Sequence, residues 1–131
     1  MSVDANKAAI YRLFDEVWGR GDIPAASRFY AAGPTLDALQ EFATALYLAF
    51  PDWRATIDDV VAEDDKVVVR WTGRGTHRGD WFGTAATNRE IEISGIDVER
   101  FVDGFIAEEH GNVDMLGFMQ QIGAVTSSEK G

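Results

Sequence analysis

The sequence predicts an α+β domain in which N-terminal helices pack on a strongly curved, mainly antiparallel sheet. Apolar residues repeat at helical spacing through the first 50 residues, and β-prone runs occupy most of residues 53–113. The helical and β-type regions follow one another without alternating, which is typical of α+β domains. The 131 residues are expected to form one domain, 1–131, with a loose polar tail at 124–131.

Three helices are predicted before the first strand. The first spans residues 4–18, where one apolar stripe at helical spacing ends just before two glycines. Asp22 is the expected N-cap of a short second helix that has a proline in its first turn. Residues 31–34 break that helix, and Thr35 begins a third helix that ends at Pro51.

Four strands are predicted after the helices. Residues 53–61 and 67–72 form a hairpin across an acidic turn. The third strand, 91–101, changes the parity of its apolar positions at Gly95, and this change predicts a bulge that bends the strand. An Asp-Gly turn then leads into the returning strand, 105–113.

Composition limits the partners of the protein. Acidic residues outnumber basic ones 22 to 12, and the net charge of −10 argues against nucleic acid, which requires clustered Lys and Arg. The chain has no cysteine, so neither a disulfide nor a thiolate-bound metal is expected. No apolar run is long enough to span a membrane. We therefore expect a soluble, cytoplasmic protein.

The end of the last strand is the predicted site. A curved sheet closed by helices forms a cone, and its open end is the natural place for a pocket lined by apolar and aromatic side chains. His110 and Asp114 lie four residues apart where the strand gives way to a short final helix, predicted over residues 115–122. We expect both side chains to face this pocket.

Asp114 has two alternative roles. Acid-base catalysis requires a group whose pKa lies near the working pH, and an apolar pocket raises the pKa of a carboxyl group toward that range. Asp114 comes just before Met115, Leu116 and Phe118, so it is the candidate acid-base catalyst. An Asp before a helical run is also a favoured N-cap. The sequence leaves both roles open, and the two are compatible.

Further site residues follow from strand alternation. It predicts that Ile106, Glu108, His110 and Asn112 share one face of the fourth strand, and that Trp71 and His77 share one face of the second. A histidine in the cone could donate a hydrogen bond to a substrate carbonyl or share a proton with the aspartate. The alternative is a partly buried histidine whose ring nitrogens bind backbone groups.

Aromatic and basic residues complete the predicted site. Trp71, Trp81 and Phe82 are expected to form pocket wall or a dimer contact, because aromatic rings supply area and shape and do not transfer protons. Arg70 either anchors a carboxylate or enolate of the substrate or pairs with glutamates of neighbouring strands. The spacing of the histidines does not favour a metal site.

Four segments carry a resemblance to a known family. They are Gly75–Gly83 (GTHRGDWFG), Gly95–Ile106, Gly111–Asp114 (GNVD) and Gln120–Gly123 (QQIG). At this order and spacing the chain resembles the SnoaL-like polyketide cyclases of the NTF2-like superfamily over most of residues 51–123. The resemblance implies a cone-shaped α+β barrel, usually a homodimer, that closes rings by intramolecular aldol chemistry without metal or cofactor. Asp114 occupies the motif position of the catalytic aspartate. Two departures are His110, where the family commonly has an aromatic residue, and the short segment 31–34, which replaces a longer insert and predicts a more open pocket.

Three functions fit these residues. The first is a cofactor-independent cyclase or isomerase that uses Asp114 on a small hydrophobic or polycarbonyl substrate, and this is the function we predict. The second is a hydrolase of the limonene-epoxide-hydrolase type, with Asp97, Arg100 and Asp114 as its Asp-Arg-Asp set. The third is a non-catalytic small-molecule-binding domain.

Overall fold

The computed structural model describes residues 2–126, in which helices pack on a four-stranded antiparallel sheet. The predicted α+β class is confirmed. Of the tail predicted at 124–131, residues 127–131 lie outside the described residues. Within residues 2–126, no helix is both long and apolar enough to cross a bilayer.

The helices begin and end close to where the sequence predicts. Ser2 caps the first helix, since its hydroxyl accepts a hydrogen bond from the amide of Ala5 at 3.0 Å. Asp22 caps the second helical segment through the amide of Ala25 at 3.3 Å, as predicted. The bounds are α1 at Val3–Leu13, a π-helical turn at Phe14–Gly19, a 3₁₀ helix at Ile23–Arg28 and α2 at Pro34–Ala49.

The four strands pair with their sequence neighbours in the order β1-β2-β3-β4. Asp103 and Gly104, both at positive φ, form the tight turn between the last two strands. A short helix, α3, follows directly. The bounds are β1 at Arg54–Glu63, β2 at Lys66–Thr76, β3 at Glu90–Val102, β4 at Phe105–Val113 and α3 at Met115–Gln121.

The predicted bulge at Gly95 is wrong. Strands β2 and β3 pair without a register shift from Lys66 opposite Arg100 to Thr76 opposite Glu90. Gly95 lies on the inner face, where the Trp71 indole packs against it. Only glycine fits there, because a Cβ would come 2.4 Å from the ring. The parity of apolar residues changes because Ile96, which is 47% exposed, lies on the outer face.

Register shifts occur instead on β1, between Ile57 and Asp59, and on β4. Phe101 pairs with Ile106 and Arg100 pairs with Glu108, which leaves Ala107 as an extra residue on β4. On β4, the inward-facing residue before the bulge is therefore Ile106, and the next one after it is Glu109 and not Glu108. The predicted face that joins Ile106 with Glu108 and His110 is wrong for this reason, since the latter two side chains are exposed.

Two groups of buried residues form the core, and Trp18 and Trp71 pack against both. One group joins α1 to β2 and includes Ile10, Leu13 and Val67. The other lies around Phe50 and Trp53 at the end of α2. A cavity is lined by members of both groups, so the core itself supplies the walls of the candidate site.

Candidate active site

A mainly apolar cavity of about 280 Å³ lies between the helices and the inner face of the sheet. This volume is near the lower end for small-molecule sites, which begin at about 300 Å³. Its walls are mainly aliphatic and aromatic. Representative wall residues are Leu13, Phe14, Trp18, Trp53, Trp71 and Phe118.

Three carboxylates interrupt this apolar lining. Asp97 and Glu99 point inward from alternate positions of β3, and Glu109 lies opposite Glu99 on β4. One oxygen from each of the three carboxylates lies within 4.8 Å of the other two, so together they could hold a single cation or share protons. Gly111 makes room for this group, because a Cβ there would come 2.3 Å from Asp97 Oδ1.

Two neutral donors fix the outer members of this carboxylate group. The Trp71 indole Nε1–H donates to Asp97 Oδ2 at 3.1 Å. The Tyr30 hydroxyl donates to Glu109 Oε2 at 2.6 Å, and Tyr30 is 1% exposed. Between them, Glu99 Oε2 is buried and has no hydrogen-bond partner among the described residues. A buried carboxylate oxygen without a partner favours the neutral acid, because a charged one would lose its solvation without compensation.

Burial in the cavity raises the pKa values of two of these carboxyl groups by different amounts. Burial, followed by repulsion from Glu109, raises the pKa of Asp97 to about 7, although the hydrogen bond from Trp71 acts in the opposite direction. Burial is also the main cause that raises the pKa of Glu99 well above its ordinary value. No Lys, Arg or His among residues 2–126 lines the cavity. A protonated and an ionisable carboxyl group therefore coexist near neutral pH.

Asp114 lies at the N-terminus of α3, where its Oδ1 accepts a hydrogen bond from the amide of Gly117 at 2.9 Å. The N-cap role predicted for it is therefore present. Its neighbours Val113 and Met115 line the cavity, but Asp114 itself is exposed and does not. Its acid-base role stays a prediction.

Neither histidine lines the cavity. His77 is fully buried beyond it, with Nδ1 at 3.0 Å from Thr87 Oγ1 and its ring stacked on Phe50. The side chain of His110 is 78% exposed, and its Nε2 lies 3.6 Å from a carboxylate oxygen of Glu108. The structure thus does not bring the two histidines together at the carboxylate group.

The predicted aromatic residues occupy three different environments. Trp71 is cavity wall, and Asn112 also lines the cavity. Trp81 is buried behind this wall, where its ring stacks on Phe118 at a centroid distance of 5.3 Å. Phe82 is 74% exposed and packs edge-on against Trp81.

Arg70, Arg100 and Glu108 lie outside the cavity. Arg70 is exposed, and its Nη1 lies 3.7 Å from Asp58. Glu108 accepts from the Nε of Arg100 at 2.8 Å. This pair holds Arg100 away from the inward-facing Asp97, so the structure does not assemble an Asp-Arg-Asp set.

The site therefore contains residues that the sequence-based set left out, namely Tyr30, Glu99 and Glu109. Asp97 was expected only as a member of the hydrolase set. A signal was present in the sequence, because period-two alternation through Gly95 places Asp97 and Glu99 on the same face of β3 as the apolar Ile91, Ile93 and Phe101.

Comparison with known proteins identifies the family. A sequence model of the SnoaL-like polyketide cyclases matches residues 8–122. The chain belongs to this family. No curated protein matches the chain.

Solved structures agree with the SnoaL-like assignment. AclR from Streptomyces galilaeus, a candidate hydroxylase, is 22% identical with a TM-score of 0.88 over 98% of this chain and 87% of AclR. A candidate polyketide cyclase from Acidithiobacillus ferrooxidans is 28% identical with a TM-score of 0.79 over 93% and 97% of the two chains. IdmH from Streptomyces antibioticus, another candidate polyketide cyclase, is 25% identical with a TM-score of 0.77 over 90% and 98%. The predicted NTF2-like cone is confirmed.

Proposed function

We propose that this SnoaL-like protein is a cofactor-independent acid-base enzyme that closes a ring in a small polycarbonyl substrate by intramolecular aldol addition. The observation that carries the proposal is the carboxylate group of Asp97, Glu99 and Glu109 inside an apolar cavity. A base with a pKa near 7 beside a protonated acid is the combination that proton transfer requires at neutral pH. The family assignment supports a cyclase-type reaction.

Asp97 and Glu99 divide the proton transfers between them. An Asp97 carboxylate oxygen takes a proton from the acidic carbon of the substrate, and the electron pair of the broken C–H bond forms the new C–C bond at a carbonyl carbon. The oxygen of that carbonyl takes a proton from Glu99. The proton on Asp97 then returns to Glu99 within the group. The product is an isomer of the substrate, and neither an oxidant nor a metal is consumed.

The cavity walls support the same reaction. Flat indole and phenyl rings, such as those of Trp53, Trp71 and Phe118, suit a planar or folded polycarbonyl chain. Excluding water from this lining keeps the base weakly solvated and keeps its pKa near neutrality. A homodimer stays a prediction, and the exposed apolar residues Ile96 and Val61 support it.

The test is turnover of an anthraquinone-type polyketide ester, a 3-ketosteroid and a terpene epoxide by matched variants. Asp97→Asn keeps the shape and removes the base, so we expect a loss of about a hundredfold or more in kcat on the reactive substrate. Asp114→Asn tests the role implied by the family motif, and we expect it to retain activity. Glu108→Gln, exposed on the outer face, is the control.

Two results would contradict the proposal. One is full activity of Asp97→Asn with loss of activity in Asp114→Asn, which would transfer the catalytic role to the N-cap residue. The other is selective hydrolysis of the epoxide, which would favour the hydrolase alternative. If wild type turns over none of the panel and tightly binds a ring compound from it, a binding domain becomes the better description.

A further inference from the structure

The cavity holds acidic side chains without a matching basic one among residues 2–126. Asp97, Glu99 and Glu109 are its ionisable acids, Tyr30 is its phenol, and no basic side chain among residues 2–126 lines it. Glu99 is 1% exposed, and its Oε2 has no partner among these residues. Buried carboxylates are normally paired with a cation or a donor. A ligand that brings a positive charge and N–H donors would complete this site.

The spacing of the three carboxylates is compatible with a primary ammonium group. A primary ammonium has three N–H donors at tetrahedral angles. Charge-assisted hydrogen bonds of about 2.8 Å along these directions place the three acceptor oxygens about 4.6 Å apart. In the cavity, the three carboxylates each offer an oxygen, and none is farther than 4.8 Å from the others.

The walls next to these carboxylates favour a cationic ligand that also carries a ring. The indole of Trp71 lies against Asp97, since its Nε1–H donates to that carboxylate. Trp53 packs edge-on against Trp71 at a centroid distance of 6.5 Å, and both line the cavity. The apolar volume beyond them accepts the hydrocarbon part of the ligand.

We propose that the natural substrate carries a primary amine, bound as the ammonium ion by Glu99, Glu109 and Asp97, on a ring-containing body that fills the aromatic part of the cavity. This inference rests on the proposed function in taking the cavity as the active site, and it names the substrate class. On binding, the ammonium displaces the Glu99 proton to solvent, and one of its own N–H protons then serves as the acid for ring closure in place of the Glu99 proton.

The experiment is calorimetric binding of 2-phenylethylamine, with 2-phenylethanol as the neutral analogue and phenylacetate as the anionic one. We expect the amine to bind about tenfold or more tightly than the alcohol, and phenylacetate to bind most weakly. Binding of the ammonium releases a proton from the carboxylate group. Its affinity should therefore rise from about pH 6 to about pH 8, while that of the alcohol stays flat.

Variants locate the effect. Glu99→Gln and Glu109→Gln should each reduce the preference for the amine about tenfold and leave the alcohol unchanged. Glu108→Gln, on the same strand as Glu109 but exposed on the outer face, should behave as wild type. If a cavity variant does not fold, the pH dependence of wild type carries the same test.

Three results would overturn the inference. Equal binding of the amine and the alcohol would show that the site does not recognise the charge. Failure of both probes to bind would show that the cavity is not a binding site for such ligands. Displacement of the amine by Mn²⁺, followed by electron paramagnetic resonance, would identify a metal site. Failure of this inference is distinguishable from failure of the proposed function. If a neutral polycarbonyl is turned over only when Asp97 is present, and no amine preference is found, the proposed enzyme alone is supported. If the amine is preferred and Asp97→Asn is fully active, the ammonium site alone is supported.

Discussion

Replacing Trp71 by Phe should shift the pH dependence of the enzyme. The indole Nε1–H donates to Asp97 Oδ2 at 3.1 Å and so stabilises the ionised form of a carboxyl group whose pKa is about 7. Phenylalanine keeps an aromatic ring against Gly95 and removes the donor. A hydrogen bond to a charged group contributes about 1.5 kcal/mol or more, which corresponds to about one pKa unit. The pKa of Asp97 should therefore rise to about 8.

The assay is kcat/KM against pH for wild type and Trp71→Phe. With Asp97 as the proposed base, activity is lost below its pKa, so the acid limb should move from about pH 7 to about pH 8. At pH 7 the ionised fraction falls from one half to about one tenth, which predicts a rate about fivefold lower that recovers at about pH 9. A uniform loss at every pH, with the acid limb unmoved, would mean that Trp71 is only cavity wall and would refute this reasoning.

Three further outcomes follow from the same contacts. The folded-state pKa of Asp97 lies above its ordinary value of 3.8, so wild type should lose stability as the pH rises from about 4 to about 7, by at most about 4 kcal/mol. The melting temperature of Asp97→Asn should vary less over that range, and an equal variation in both proteins would contradict the raised pKa. Asp114→Ala should lower the free energy of unfolding in urea by about 1 kcal/mol and Asp114→Asn by less, because the cap is lost only in the first; equal stability of all three proteins would argue against the cap. Gly111→Ala places a Cβ 2.3 Å from Asp97 Oδ1, so kcat/KM should fall because the base is displaced; unchanged kinetics would mean that the carboxylate is not held there.

The order and type of the elements could be predicted from the sequence because each is specified locally. The Asp22 cap, the Pro51 stop and the Asp103-Gly104 turn act through nearby backbone, and the structure has all three. The face of β3 on which each apolar residue lies could not be predicted in this way. The apolar side chain of Ile96 faces outward, and the Gly95 that suggests a bulge accommodates the indole of Trp71 from the neighbouring strand.

Which side chains of β4 face the cavity depends on strand pairing, which no local sequence pattern specifies. One extra residue, Ala107, shifts the inward face of β4 from the set containing Glu108 to the set containing Glu109. Whether a bulge occurs at that position is decided by pairing with β3 and not by the residues of β4 alone. Tyr30 is brought to the same site through a bridge to Ile106, a tertiary contact across more than half of the chain.

Asp114 shows that a motif position can also have a purely structural explanation. The residue before α3 satisfies the helix terminus, and this requirement by itself explains an aspartate at that position. The carboxyl groups with the environment of an acid-base pair come from β3 and β4. Family membership predicts the cone and its cavity, whereas the assignment of the base requires the strand register of this chain.

The most direct measurement is a titration of the side-chain carboxyl carbons by ¹³C NMR, with Asp97→Asn used to assign the resonance of Asp97. If Asp97 is the base of a buried acid-base group, its resonance should titrate with a midpoint near 7 and move in Trp71→Phe. A midpoint near 3.8, unaffected by loss of the indole donor, would mean that Asp97 is an ordinary solvated carboxylate and would contradict the proposed catalytic role.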